Sequence, residues 1–215
     1  MSLSVQAKTL RVALDADPVS LDIHEQLSGA ILAYSHWVFD PLVRWDQDMN
    51  FQSRLAVKWE QVNKKTMRFY IREGVKFHSG NMLTTKDVKW TVERLKKSPD
   101  FKGIFEPVTE VKIIDDYTFD LVTKKPFGLM LNLATYIFPM DSEFYTGTDQ
   151  NGKPKDMIDK TAPTFAKANA SGTGRFKVVS RDHGVKMEMV RFADHWDTAS
   201  AGNVEKFILT PIKNS

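Results

Sequence analysis

Between Thr66 and Lys97 the chain changes its hydrophobic period, and that change constrains the fold more than any other feature. Thr66–Ile71 (TMRFYI) alternates, placing Met67, Phe69 and Ile71 on one face of a strand. Gly74, Ser79-Gly80 and Asn81 punctuate the next stretch. Over Thr84–Lys97, Val88, Thr91, Val92 and Leu95 then fall at the i, i+3, i+4, i+7 spacing of one helix face. Thr84 and Asp87 form a capping-box-like pair at the start of this helix, with Asp87 on the positive end of its dipole. Ser98-Pro99 ends it, because the residue before a proline disfavours the helical region. Trp90 lies off the stripe, so the helix is expected to make contacts on two sides. A strand feeding such a helix sets a mixed α/β fold.

The rest of the chain reads consistently with that. Thr9–Leu14 is a first strand, running into the turn-rich Asp17-Pro18-Val19-Ser20-Leu21-Asp22. Ser28–Val38 reads as a helix closed by Asp40-Pro41, and Leu42–Trp45 as a short extended piece before a polar turn at 46–50. Val111–Ile114 and Tyr117–Val122 flank Asp115-Asp116 as a hairpin. Phe127–Met140 is apolar and fits either a helix or a buried strand. Ser142–Ala170 turns polar and predicts a long surface excursion. Strands resume at Phe176–Arg181 and Val185–Val190, and Val204–Ile212 is one more. Trp37, Trp45, Trp59 and Trp196 are expected in the core.

Composition closes several function classes. With 215 residues, 42% hydrophobic, the chain is long enough for a core without disulfide or metal staples. Thirty basic residues against 27 acidic leave a net charge of +3, which makes no electrostatic case for nucleic acid or an anionic membrane. The absence of cysteine removes disulfides, thiolate metal sites and a cysteine nucleophile. The longest uncharged stretches, Gln26–Phe39 and Pro126–Met140, fall short of the roughly 20 residues that span a bilayer. Met1–Lys8 shows no positive segment followed by an apolar run, so no signal peptide is read in this chain.

Catalytic patterns are weak. His24, His36, His78, His183 and His195 show no i, i+4 pairing, and an isolated histidine is usually a surface or hydrogen-bonded structural residue. Gly172-Thr173-Gly174 lacks the third glycine and the Lys-Ser/Thr of a phosphate loop and precedes a strand, so it reads as a tight turn into Phe176. Asp15, Asp17 and Asp22 form a small acidic cluster without calcium-loop spacing, and such loop acidity more often caps a helix or solvates a turn. No Gly-x-Ser-x-Gly elbow nominates a serine nucleophile.

Phe69-Tyr70-Ile71-Arg72-Glu73-Gly74-Val75-Lys76-Phe77-His78-Ser79-Gly80, followed by Leu83-Thr84-Thr85-Lys86-Asp87-Val88, resembles the pattern F-x-L-R-x-G-V-K-F-H-D-G-x-x-L-T-A-x-D-V of the family 5 extracellular solute-binding proteins. These are the oligopeptide-, dipeptide- and nickel-binding receptors of bacterial ABC importers. Ile71, Ser79 and Thr85 depart mildly from the pattern, and Arg94 matches the arginine that ends the family's helix. Pro18–Asp22 is similar to P-x-S-L-D-P, with Ile23 in place of the second proline. Phe39–Val43 and Leu55–Glu60 are similar to Y-E-x-L-V and L-A-x-S-W-E, and Phe192–Trp196 echoes R-N-x-x-Y-W. Gly172–Phe176 is similar to G-T-G-P-F/Y, with Arg175 in place of proline. The glycines and the Thr84–Asp87 pair of the main pattern read as architectural.

The resemblance implies a periplasmic binding protein-like fold of the class II, peptide-binding type, in which two α/β lobes on a hinge enclose the ligand. Residues 1–8 are then a tail and 9–212 an N-terminal lobe with mixed sheet and flanking helices, the second lobe being absent from this chain. Half a cleft is expected to bind weakly or not at all. By the same resemblance Glu25, Gln26, Leu27 and Ser28 line the cleft, pairing with an extended peptide backbone and offering a carboxylate to its α-ammonium. The residues themselves also allow Glu25 and Ser28 to start the following helix, one as a first-turn charge and one as cap. Tyr136 and Phe138 either present aromatic surface to ligand side chains or pack in the core. The implied partners are a peptide or other small solute and the ABC permease subunits, in the periplasm or on a lipid anchor. No cofactor, metal ligand or catalytic residue is implied. A nickel chelate, haem or oligosaccharide is the alternative ligand, with His24 the one histidine near the right loop; a stand-alone α/β enzyme is the alternative class.

Overall fold

The computed structural model describes residues 8–14, 18–200 and 202–212. The chain runs through β1 (Lys8–Leu14), α1 (Gly29–Val38), β2 (Val43–Trp45), β3 (Phe51–Ser53), β4 (Ala56–Asn63) and β5 (Thr66–Ile71). It continues through α2 (Thr85–Leu95), α3 (Lys102–Phe105), β6 (Val108–Ile113), β7 (Thr118–Thr123), α4 (Met130–Ala134), α5 (Ser142–Tyr145) and α6 (Phe165–Ala168). It closes with β8 (Phe176–Asp182), β9 (Lys186–Arg191) and β10 (Val204–Pro211). One four-stranded sheet has the order β1-β10-β9-β8, with β1 parallel to β10 and the other pairs antiparallel. A second has the order β4-β5-β7-β6 and is antiparallel throughout, and β2-β3 is a small separate hairpin. The mixed α/β fold is thus as expected.

Each large sheet backs its own core. Phe69 and Phe119 stand opposite one another in β5 and β7 with stacked rings 5.3 Å apart, at the centre of one cluster. Val88, Val92 and Leu95 of α2 complete this cluster, each fully buried and each contributing about 1.5–3 kcal/mol of burial. Tyr34 and Val38 of α1, Met187 and Met189 of β9 and Leu209 of β10 form the other. Helix α2 touches both: Trp90, off its main stripe, stacks on Tyr145 at 6.0 Å in the second cluster. The two-sided helix predicted by the sequence is what forms.

Local chemistry explains the element ends. Thr84 caps α2 with the full capping box, its own amide donating to Asp87 Oδ2 at 2.9 Å. Asp87 Oδ1 also accepts from the Ser142 amide and hydroxyl, tying α5 to the start of α2. Gly80 holds φ 103°, a left-handed turn that a side chain resists.

Several expectations are corrected. Gly172 and Gly174 are not turn glycines, since neither has positive φ. A Cβ on Gly172 would stand 2.1 Å from the Val38 carbonyl oxygen, and one on Gly174 would stand 2.4 Å from the Val38 carbonyl carbon. They are glycines because the chain crosses the end of α1 in backbone contact, with the Gly174 amide donating to Val38 O at 3.0 Å. The 142–170 stretch is not a plain surface excursion, because Tyr145 and Ala166 are buried within it. Trp45 is exposed, its ring tilted against Phe51 at 3.9 Å, where the core was expected. Strands β3 and β4 had no alternation to reveal them. Phe127–Met140 resolves into the short α4 followed by irregular backbone. Asp15 and Asp17 lie outside the described residues.

Candidate functional site

The 20–28 segment is folded by its own side chains first. The Asp22 amide donates to Ser20 Oγ at 2.9 Å, and the His24 amide to Asp22 Oδ1 at 3.0 Å, an Asx-type turn. Asp22 then meets Arg94 of α2 in a bidentate pair at 2.6 and 2.7 Å, with both side chains almost wholly buried. Burial would raise the Asp22 carboxyl, but the Arg94 guanidinium overrides it and holds the group below the usual carboxylate range. Asp22 is therefore an internal ion pair, where loop acidity had suggested a cap or a solvated turn.

Beyond Asp22 the backbone is held from several directions. Ser98 Oγ donates to the His24 carbonyl at 2.6 Å, the Leu27 amide to Asp100 Oδ2 at 3.0 Å, and the Leu21 amide to the Lys167 carbonyl at 3.1 Å. Asp100 is paired in turn with Lys160 at 2.5 Å, and that pairing, then the Leu27 amide, lowers its carboxyl. Glu25 is buried, with Oε1 on Lys167 Nζ at 3.1 Å and Oε2 without a hydrogen-bond partner. Ser28 caps α1, accepting from the Ile31 amide at 3.4 Å. So Ser28 does start the helix, whereas Glu25 does not sit in its first turn.

This anchoring leaves one stretch of main chain unused. The amide of Gln26 and the carbonyls of Glu25, Gln26 and Leu27 have no hydrogen-bond partner among the described residues. Gln26 and Leu27 are half-buried in irregular chain. Backbone polar groups ordinarily find partners, so an ordered, unpaired run of them is a template for an incoming strand. Tyr136 belongs to the same neighbourhood, half-buried with its ring 6.4 Å from Phe101, the residue next to the Leu27 anchor at Asp100. Phe138 is buried, with His36 edge-on at 5.0 Å, and packs in the core.

His24 is 1% exposed and neither ring nitrogen has a partner. Burial, then the Arg94 charge, lower it to about 3, so it is a neutral interior ring, not an exposed ligand. Among the described residues no group of three or more His, Asp or Glu side chains is placed to hold a metal ion. His78 donates through Nε2 to the Gly174 carbonyl, 2.8 Å away, as a structural residue. Arg94, Asp100 and Lys167 are the site's unforeseen members. Arg94 was visible only as the end of a helix, and nothing local to Asp100 or Lys167 marks them, because their partners lie 73 and 142 positions away in sequence.

The 20–28 segment is thus anchored to α2, the helix that packs against both sheet cores. The profile described as "Bacterial extracellular solute-binding proteins, family 5 Middle" matches residues 50–215, and the chain belongs to that family. It is 26% identical to the dipeptide-binding protein of Escherichia coli over 235 aligned positions, covering 98% of this chain and 42% of that one. It is 26% identical to the oligopeptide-binding protein OppA of Bacillus subtilis, covering 88% of this chain and 36% of that one. The chain thus spans well under half the length of these relatives. In fold it resembles the oligopeptide-binding protein AppA of Bacillus subtilis solved with a nonapeptide, with TM-score 0.82, 19% identity, and coverage of 96% of this chain and 40% of that one. It resembles NikZ of Campylobacter jejuni, solved with Ni(L-His), with TM-score 0.77, 19% identity, and coverage of 95% and 39%.

Proposed function

We propose that these residues form one wall of the solute cleft of an ABC-importer receptor, and that the solute is a peptide. The observation that carries this reading is the set of open main-chain groups here, the Gln26 amide and the Glu25, Gln26 and Leu27 carbonyls, fixed in place by the Asp22–Arg94, Glu25–Lys167 and Asp100–Lys160 pairs. A peptide laid along it gains main-chain hydrogen bonds without regard to its side chains, which suits sequence-tolerant capture. Gln26 and Leu27 make the backbone contacts, Ser28 sets the angle at which α1 leaves, and Tyr136 offers apolar surface to a ligand side chain. Glu25 has its charge met by Lys167, so its role is to position the strand rather than to receive the α-ammonium. Residues 9–212 are the N-terminal lobe in this reading, with a second lobe closing over the peptide and a permease receiving it. The setting is the periplasm or a lipid-anchored cell surface. Among the described residues no helix is long and apolar enough to cross a membrane.

The buried His24 gives a nickel chelate no exposed histidine on this loop, and nothing in the geometry favours haem or sugar. Native mass spectrometry of the full-length receptor purified without refolding, then offered a mixed peptide pool and Ni(L-His), decides between these ligands. Peptide adducts are expected; a nickel chelate retained in preference to peptide overturns the reading.

A further inference from the structure

A polar cavity of about 280 Å³ lies at the far end of α1 from Ser28, roughly 12 Å along the helix axis from the peptide segment. Its walls carry Arg44 of β2, Arg54, Arg175, Asp40, Asp197 and the indole of Trp37. The geometry points to this cavity as a binding site for an oxyanion, carboxylate or phosphate in class.

The donors outnumber the acceptors. Asp40 already accepts from Arg54 Nη2 at 2.5 Å, Trp196 Nε1 at 2.9 Å and Thr173 Oγ1 at 3.2 Å. Asp197 is met by Arg175 Nη2 at 3.3 Å, by the Ser200 amide at 3.2 Å and by the Ser200 hydroxyl. Against these two satisfied carboxylates stand three guanidinium groups, leaving a local excess of one positive charge. Arg44 uses only Nε, on Gln52 Oε1 at 2.6 Å, so both of its terminal nitrogens lack a hydrogen-bond partner among the described residues. Nη1 of Arg175 is in the same position. Desolvation, and then the field of Arg54, lower the Arg44 guanidinium against the opposing pull of Asp40 and Asp197. Arg175 stands where the family pattern has proline, so the third guanidinium is this chain's own. Guanidinium forks match two-oxygen anions, and such charge-assisted pairs are the strong ones.

Calorimetric titration of the full chain with inorganic phosphate and, separately, with acetate tests the site, using chloride at matched ionic strength as control. Saturable binding of either oxyanion is expected, and the tighter of the two identifies the class. Arg44→Gln leaves the Asp40 and Asp197 pairs intact and is expected to weaken binding by about tenfold, the scale of one charge-assisted hydrogen bond. A circular-dichroism melt of the variant, matching wild type in chloride, establishes that it is folded. Absence of saturable binding, or equal affinity in the folded Arg44→Gln variant, overturns the proposal. A peptide titration of the same variant is expected to be unchanged, so this site and the peptide segment fail or stand separately.

Discussion

Asp22 and Arg94 show what a single pair does here. Both are almost fully buried, so each charge is tolerated only because the other is present. Arg94→Met leaves the Asp22 carboxylate inside without its partner and is expected to cost about 3–5 kcal/mol in urea denaturation; a loss below 1 kcal/mol would show the pair to be solvated. Beside it, His24 is held neutral, lowered from 6.5 to about 3 by burial and by Arg94. Between those two values the unfolded chain binds a proton that the folded chain refuses, so His24 lowers stability as pH falls from about 6.5 toward 3. His24→Leu removes this proton uptake. The variant is expected to lose less stability than wild type between pH 7 and pH 5, measured as the urea midpoint, and parallel losses would contradict the assignment. From sequence alone Asp22 was one of three loop acids, and His24 an isolated histidine marked only by lying near the ligand loop. Their state depends on a residue 72 positions away, and no local pattern encodes that distance.

At the scale of elements, the pieces that read correctly are those whose pattern is local. The β5 strand was legible in TMRFYI and the α2 helix in its apolar spacing and Thr84 cap, because burial on one face writes itself into the period. Strand β4 was not, because it is a sheet edge whose residues after Ala56 are mostly exposed and so need not alternate. The 172–174 motif was seen but given the wrong cause, since a tight turn and a close backbone crossing both demand glycine. The crossing makes its own prediction. Gly174→Ala must displace the end of α1 and is expected to cost about 1–3 kcal/mol or more by denaturant titration. Gly103→Ala meets no atom within 4 Å and has no positive φ, so it should be neutral or slightly stabilising. Equal effects at the two glycines would remove the crossing as the explanation. Thr84→Ala is expected to cost about 1 kcal/mol through loss of the α2 cap.

Over the whole molecule, two sheets with separate cores are held together by α2, which buries Val88 and Val92 in one cluster and Trp90 in the other. The Asp22–Arg94 pair sits on that same helix, so the segment that presents Gln26 and Leu27 is fixed to the element joining the two halves. The family was legible in the motif order. The division of labour within Glu25–Ser28 was not, because a cap, an ion pair and an unpaired amide look alike in a string of letters. The central claim is that the main chain of Glu25–Leu27 receives a peptide backbone, and amide-resolved NMR tests it most directly. The protein is titrated with a tripeptide into the millimolar range, and in parallel with the same tripeptide N-methylated at its amides. The Gln26 amide is expected to shift with the first peptide and more weakly with the second, which has lost the N–H donors that pair with the Glu25, Gln26 and Leu27 carbonyls. Shifts confined to other residues, or equal shifts with both peptides, would contradict the claim.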